Sequence, residues 1–193
     1  MTPNVLLERS FEMEDKILDG IDHAKLGKEG EDMVYTKLNK ILDRNFYTLY
    51  PNFKIPHGRF DIDTIIIGPK GIIIFEVKNY SKPVIFDGDD VYLKEGEGPM
   101  RPDWDPRYEI SRHSYSFLEY LRKGGFNEIQ TRKAIIFPKN NSVIIRNGAR
   151  TGIYVISGVD GIDEYIKNTP DNPRFTKEYC NNINQYLKIS ANY

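Results

Sequence analysis

A chain of 193 residues with 39% hydrophobic content has the length of one compact domain and enough apolar residues for one core. Its formal net charge of −1 excludes a globally basic protein, so any hold on a polyanion has to rest on local groups. The single cysteine, Cys180, excludes an intramolecular disulfide and a cysteine-built zinc cage.

The N-terminal stretch is acidic throughout and has no apolar segment of signal-peptide length, and the longest apolar runs elsewhere are strand-sized. A cytoplasmic protein without membrane attachment is expected. Residues 1–21 show no clean period and read as an arm. The main domain is expected over 22–168, with a C-terminal helix over 169–193 packed on it.

From about Ala24 to Asp43 the apolar residues Val34, Leu38, Ile41 and Leu42 recur at helical spacing, which predicts an amphipathic helix. Three strands follow, Phe46 to Tyr50, Phe60 to Ile67 and Ile72 to Lys78, with Gly68-Pro69-Lys70-Gly71 turning the chain between the last two. A second hairpin is predicted from Val84 to Phe86 and Val91 to Leu93, and a loop from Gly96 to Asp105. Pro106 opens a helix that carries Ile110, Phe117, Leu118 and Leu121 and stops at Gly124-Gly125. Strands at Ala134 to Phe137, Val143 to Ile145 and Ile153 to Ile156 precede helices near Gly161 to Asn168 and Thr176 to Ile189. The order predicts an α/β fold, a sheet flanked by helices.

Side chains alternate along a strand, so Glu76 and Lys78 share one face and Ile73, Phe75 and Val77 the other. A symmetric turn sets Ile67 opposite Ile72, and counting outward from there brings Asp63 opposite Glu76. Two facing carboxylates repel. A divalent cation, Mg²⁺ or Mn²⁺, offsets that cost and is held by such carboxylates together with water and phosphate oxygens. Lys78 fits the same site, where its ammonium orients a water or neutralises charge growing on a phosphate. Glu31 lies on the helix stripe of Val34 and Leu38, an acid where burial is expected, with Gly27 and Gly30 allowing close approach to the sheet. The competing readings are an acidic helix N-terminus for Glu29, Glu31 and Asp32, and a surface ladder pairing Asp61 with Lys78 and Glu76 with Arg59.

Gly27-Lys28-Glu29-Gly30-Glu31, Asp61-Ile62-Asp63, Gly71 and Glu76-Val77-Lys78-Asn79-Tyr80 resemble the nuclease-related domain known as NERD. That family is placed in the restriction-endonuclease-like superfamily, with an αβββαβ core, a mixed central sheet and a PD-(D/E)xK pattern. The resemblance spans roughly Leu26 to Ile156. It implies that Asp63 and Glu76 bind the metal, that Lys78 assists the nucleophile and that Glu31 completes the acidic cluster. Asp105-Pro106 and Arg112-His113 look like the family's segment opening the next helix. The chain departs from the pattern at Asp105 and Glu109, where asparagine and glutamine are usual, and at Asp61, where glutamine often stands; each change adds negative charge.

Candidate substrate contacts are Arg59, Asn79, Tyr80, Glu109 and Arg112, and candidates for a basic patch are Lys54, Arg59, Lys82, Arg132, Lys133, Lys139, Arg146 and Arg150. Trp104, Tyr80 and Tyr108 are aromatic groups able to stack on bases. None of the three histidines has metal-ligand spacing; His57 is the one nearest the site mouth, and His23 and His113 belong to helices. The reading is a Mg²⁺- or Mn²⁺-dependent nuclease acting on DNA in preference to RNA, against the alternative of a non-catalytic nucleic-acid or protein-binding module on the same fold. An enzyme of this size cutting both strands needs two copies, a homodimer, or two visits.

Overall fold

A computed structural model describes residues 24–58, 60–80, 82–94, 98, 105–139, 143–147 and 152–191. The expectations for the 1–21 arm, His23, Arg59, Trp104, Arg150 and most of the 96–105 loop lie outside these residues. The first helix, α1, covers 24–41, and Val34 and Leu38 on its predicted stripe are fully buried. Strands β1 (Thr48–Lys54), β2 (Asp61–Gly68) and β3 (Gly71–Val77) form an antiparallel meander. A hairpin, β4 (Val84–Asp87) and β5 (Asp90–Leu93), leads towards helix α2 (Pro106–Lys123). Strands β6 (Thr131–Phe137), β7 (Val143–Asn147) and β8 (Ile153–Ser157) follow, then helices α3 (Gly161–Asn168) and α4 (Lys177–Ala191).

The main sheet has the order β1-β2-β3-β6-β8, and β3, β6 and β8 run parallel. It is therefore mixed, and the succession α1, β1, β2, β3, α2, β6 is the αβββαβ core. Alternation along the isoleucine-rich strands builds a core on each face. Ile66, Ile73, Phe75 and Val77 pack with α1 and α3, while Ile65, Ile67, Ile72 and Ile74 pack with α2 and α4. A smaller sheet, β5-β4-β7, joins the second core through Val84, Phe86 and Val91.

The first strand begins and ends later than the sequence indicates, because pairing with β2 continues through Pro51 and resumes at Phe53 and Lys54. β1 is an edge strand, where a proline costs no ladder bond. Val143 to Asn147 pairs parallel with β4 of the smaller sheet.

Candidate metal centre

The β2–β3 ladder follows the predicted register, from Gly68 opposite Gly71 to Thr64 opposite Phe75. One step further stand Asp63 and Glu76, where the ladder pairing ends and the Asp63 Oδ2 accepts the backbone N–H of Val77 at 2.7 Å. On the other side of β2, Asn52 at the matching point of β1 takes a left-handed φ of 48°. The sheet thus opens at Asp63, at the end nearest α1 and α2.

A cleft of about 520 Å³ lies at that opening, lined by Glu31, Asp63, Glu76, Lys78, Glu109 and His113 among others. Glu76 is 1% exposed. Its Oε1 takes Lys78 Nζ at 2.8 Å, and its Oε2 faces His113 Nδ1 at 3.0 Å. Lys78 reaches a second carboxylate, Glu109 of α2, at 2.7 Å. Burial alone would raise the Glu76 carboxyl, but the bonds from His113 and Lys78 outweigh it and hold Glu76 below its ordinary value. An ionised carboxylate only accepts, so Nδ1 of His113 carries the proton. Burial would likewise depress Lys78, but Glu76 and Glu109 outweigh it and keep the ammonium above its usual range. Asp63 has the Val77 amide and, among the described residues, no ion pair of its own; burial, then Glu76, push it up to about 8. Glu31, half-buried on α1, is raised by the same burial.

α1 packs on the opposite face of the sheet from α2, so Glu31 enters the cleft around the sheet end. Gly30 permits this: a Cβ there would lie 2.8 Å from Asn79 Cβ and 3.2 Å from Pro138 Cγ, whereas one at Gly27 would meet nothing within 4 Å. Asn79 ties the two elements by donating its Nδ2 to Leu26 O at 2.7 Å. Gly30→Ala is expected to lower stability by about 1–2 kcal/mol in urea unfolding, since overpacking exceeds the gain in helix propensity. Gly27→Ala should raise it by up to about 1 kcal/mol; equal effects at both positions would remove Gly30 as the point of close approach.

Of the sequence candidates, Glu31, Asp63, Glu76, Lys78, Asn79, Tyr80 and Glu109 all line the cleft. Asn79 holds α1, and Tyr80 packs its ring 6.3 Å from Phe137. Arg112 is exposed at the mouth, its Cζ 3.9 Å from the ring centre of Phe60. Of the competing ladder, the Asp61–Lys78 pair does not form, because Asp61 pairs with Lys54 at 3.4 Å and Lys78 turns to Glu76 and Glu109, while the Glu76–Arg59 pair lies outside the described residues. His57 is exposed and does not line the cleft, whereas His113 does. Glu76, Glu109 and His113 bring ligand atoms within 4.8 Å of one another, a group able to hold a metal ion. The sequence signal for it was the four-residue step from Glu109 to His113 on one face of α2.

Among the described residues, none of the candidate basic patch lines this cleft. Arg132 and Lys133 open β6 beside Lys70, around a larger cavity of about 580 Å³. There Lys70 donates to Thr169 O, and Arg132 to Lys70 O and Pro170 O. Those two cations are engaged by backbone carbonyls. Among the described residues no helix is long and apolar enough to cross a membrane.

The family model of the nuclease-related domain, NERD, matches residues 26–138. No curated protein and no solved structure matches the chain.

Proposed function

The chain belongs to the nuclease-related domain family, and from that premise we propose that its cleft hydrolyses phosphodiester bonds in DNA with Mg²⁺ or Mn²⁺. The observation that supports this best is the convergence of Asp63, Glu76 and Lys78 from two strands with Glu31 from a helix on the far face. Buried carboxylates are costly unless something positive compensates them. Asp63, with no cationic side chain bonded to it among the described residues, is the buried member that most needs one.

Asp63 and Glu76, with Glu31 facing them, offer the oxygen donors that hard divalent cations take. When bound, such a cation activates water and stabilises charge on the phosphate. The residues do the rest. The Val77 amide fixes the orientation of Asp63, and His113 fixes that of Glu76. Lys78 stays protonated between its carboxylates, so it acts as a hydrogen-bond donor and positive charge beside the scissile phosphate, and not as a base. The side chains of Phe60 and Arg112 at the mouth form a stacked shelf for the neighbouring nucleotide.

The test is a time course on linear, circular and single-stranded DNA, and on RNA, with Mg²⁺, Mn²⁺ or EDTA. Metal-dependent product, abolished by EDTA, is expected. Absence of turnover on every substrate by folded protein would leave the non-catalytic binding module as the reading of this fold.

A further inference from the structure

We propose that the cavity at the other end of the sheet from the cleft is a nucleotide pocket, taking a free nucleoside monophosphate with its base on Tyr154 and its phosphate at Arg132 and Lys70. The site goes beyond the hydrolase reading and stands whether or not the cleft cleaves. Its place in the fold separates the two, since β3 runs from Gly71 at the cavity to Val77 at the cleft, a rise of about 20 Å. The parallel strands β3, β6 and β8 all start at the cavity, and Asn168 to Pro170, at the end of α3, form another wall. Gly71 and Gly152 line the gap without side chains, and the open volume of about 580 Å³ is in the range of small-ligand pockets.

Charge selects the sign of the ligand. Lys70, Arg132 and Lys133 line the cavity, and no aspartate or glutamate is among its described lining residues. Asp171 pairs with Lys70 at 3.3 Å, but its own side chain is 72% exposed, so water screens the pair. In a chain of formal net charge −1, positive groups are thus concentrated here, whereas Glu31, Asp61, Asp63, Glu76 and Glu109 line the cleft with Lys78. The bonds to backbone carbonyls orient the cations without exhausting them. Lys70 Nζ lies 2.5 Å from Thr169 O, and Arg132 reaches Lys70 O and Pro170 O through Nε and Nη2, so Nη1 keeps its donors among the described residues. A guanidinium held in this way loses little further freedom on meeting a phosphate.

Tyr154 argues independently for a base. It sits opposite Ala134, two residues along β6 from Arg132, so alternation puts the side chains of Tyr154 and Arg132 on the same face of the sheet. Its ring centre is 4.7 Å from that of Tyr165, which is 8% exposed and backs it, while Tyr154 itself is 51% exposed. An open ring braced by a buried one is a stacking surface. A planar base joined to a phosphate fits that surface and the neighbouring cations together, and the amides of Gln130 and Asn168 can bond the edge of the base.

The test is calorimetric titration of the full chain with AMP, GMP, CMP and UMP, in EDTA so that hydrolysis plays no part, with the matching nucleoside and inorganic phosphate as half-ligand probes. One nucleotide per chain is expected for at least one of the four, bound about 10-fold or more tightly than either half. Arg132→Gln and Tyr154→Leu should each weaken it by about 10-fold or more, and Asp63→Asn in the cleft should bind as wild type does. Circular dichroism melts check folding, and Tyr154→Leu, half-exposed on the edge strand β8, keeps the comparison decisive if Arg132→Gln unfolds. Binding of none of the four, phosphate binding as tightly as the nucleotide, affinity unchanged in Tyr154→Leu, or affinity lost in Asp63→Asn would overturn the pocket. A short single-stranded oligonucleotide that binds more tightly than the mononucleotide, and is weakened by the same substitutions, would overturn the free nucleotide as its occupant.

Discussion

Replacing Asp63 with asparagine lowers metal-dependent DNA cleavage by roughly 10²–10³-fold or more, and the variant melts no lower than wild type in EDTA. Asparagine keeps an oxygen for the Val77 amide and removes a carboxyl that burial and Glu76 already disfavour in its charged form. The loss therefore falls on cation binding and not on the fold. Lys78→Met should be as slow but less stable, because Glu76 and Glu109 lose the ammonium they share. Lys78→Arg restores the charge and much of the stability without the compact point charge, so it should recover folding more than rate. Cleavage measured beside DNA-bound controls reads these effects, and activity undiminished in Asp63→Asn would assign the product to a contaminant.

Arg107→Met should cost about 3–5 kcal/mol in chemical denaturation, the range for a buried charge stripped of its partner. Asp105 is 3% exposed and caps α2 by accepting the Arg107 amide at 2.9 Å. The Arg107 guanidinium returns to the same carboxylate at 2.7 Å and donates to Asp89 O at 2.7 Å, so one side chain joins the helix start to the β4–β5 turn. Without it a buried carboxylate is left with only the helix amide. The start of α2 loosens, and Glu109 and His113 lie within its first turns. Cleavage should fall along with stability. The double variant Asp105→Asn, Arg107→Met should regain part of the loss, and a midpoint unchanged in the single variant would show that Pro106 and packing hold the helix start unaided.

The main lines of the site were legible because hairpin register is a counting problem. Once Ile67 faces Ile72, the position of Asp63 relative to Glu76 follows, and the buried isoleucines on both strands permit no slip. The stripe of Val34 and Leu38 placed Glu31 in the same way. The first strand runs past Tyr50 because Pro51 still pairs with Thr64 and the ladder resumes at Phe53 and Lys54 beyond the left-handed Asn52, long-range pairing that local residue preference does not reveal. His113 was hidden for a different reason. It sits on the inward face of α2 with Ile110 and Phe117, and only the three-dimensional crossing of that helix over β3 tells a packed histidine from one that meets Glu76.

Helices on opposite sides of the sheet supply Glu31 and Glu109, and β6, which follows α2 in the chain, must slot in beside β3 for the Lys78 amide to reach Ile136 O. A ribosome-bound chain that ends with the β2–β3 hairpin has the strand carboxylates and α1 with Glu31, but lacks α2 with Glu109 and the β6 strand. The proposed hydrolytic site is therefore complete only late in synthesis, after the residues of β6 have emerged and docked.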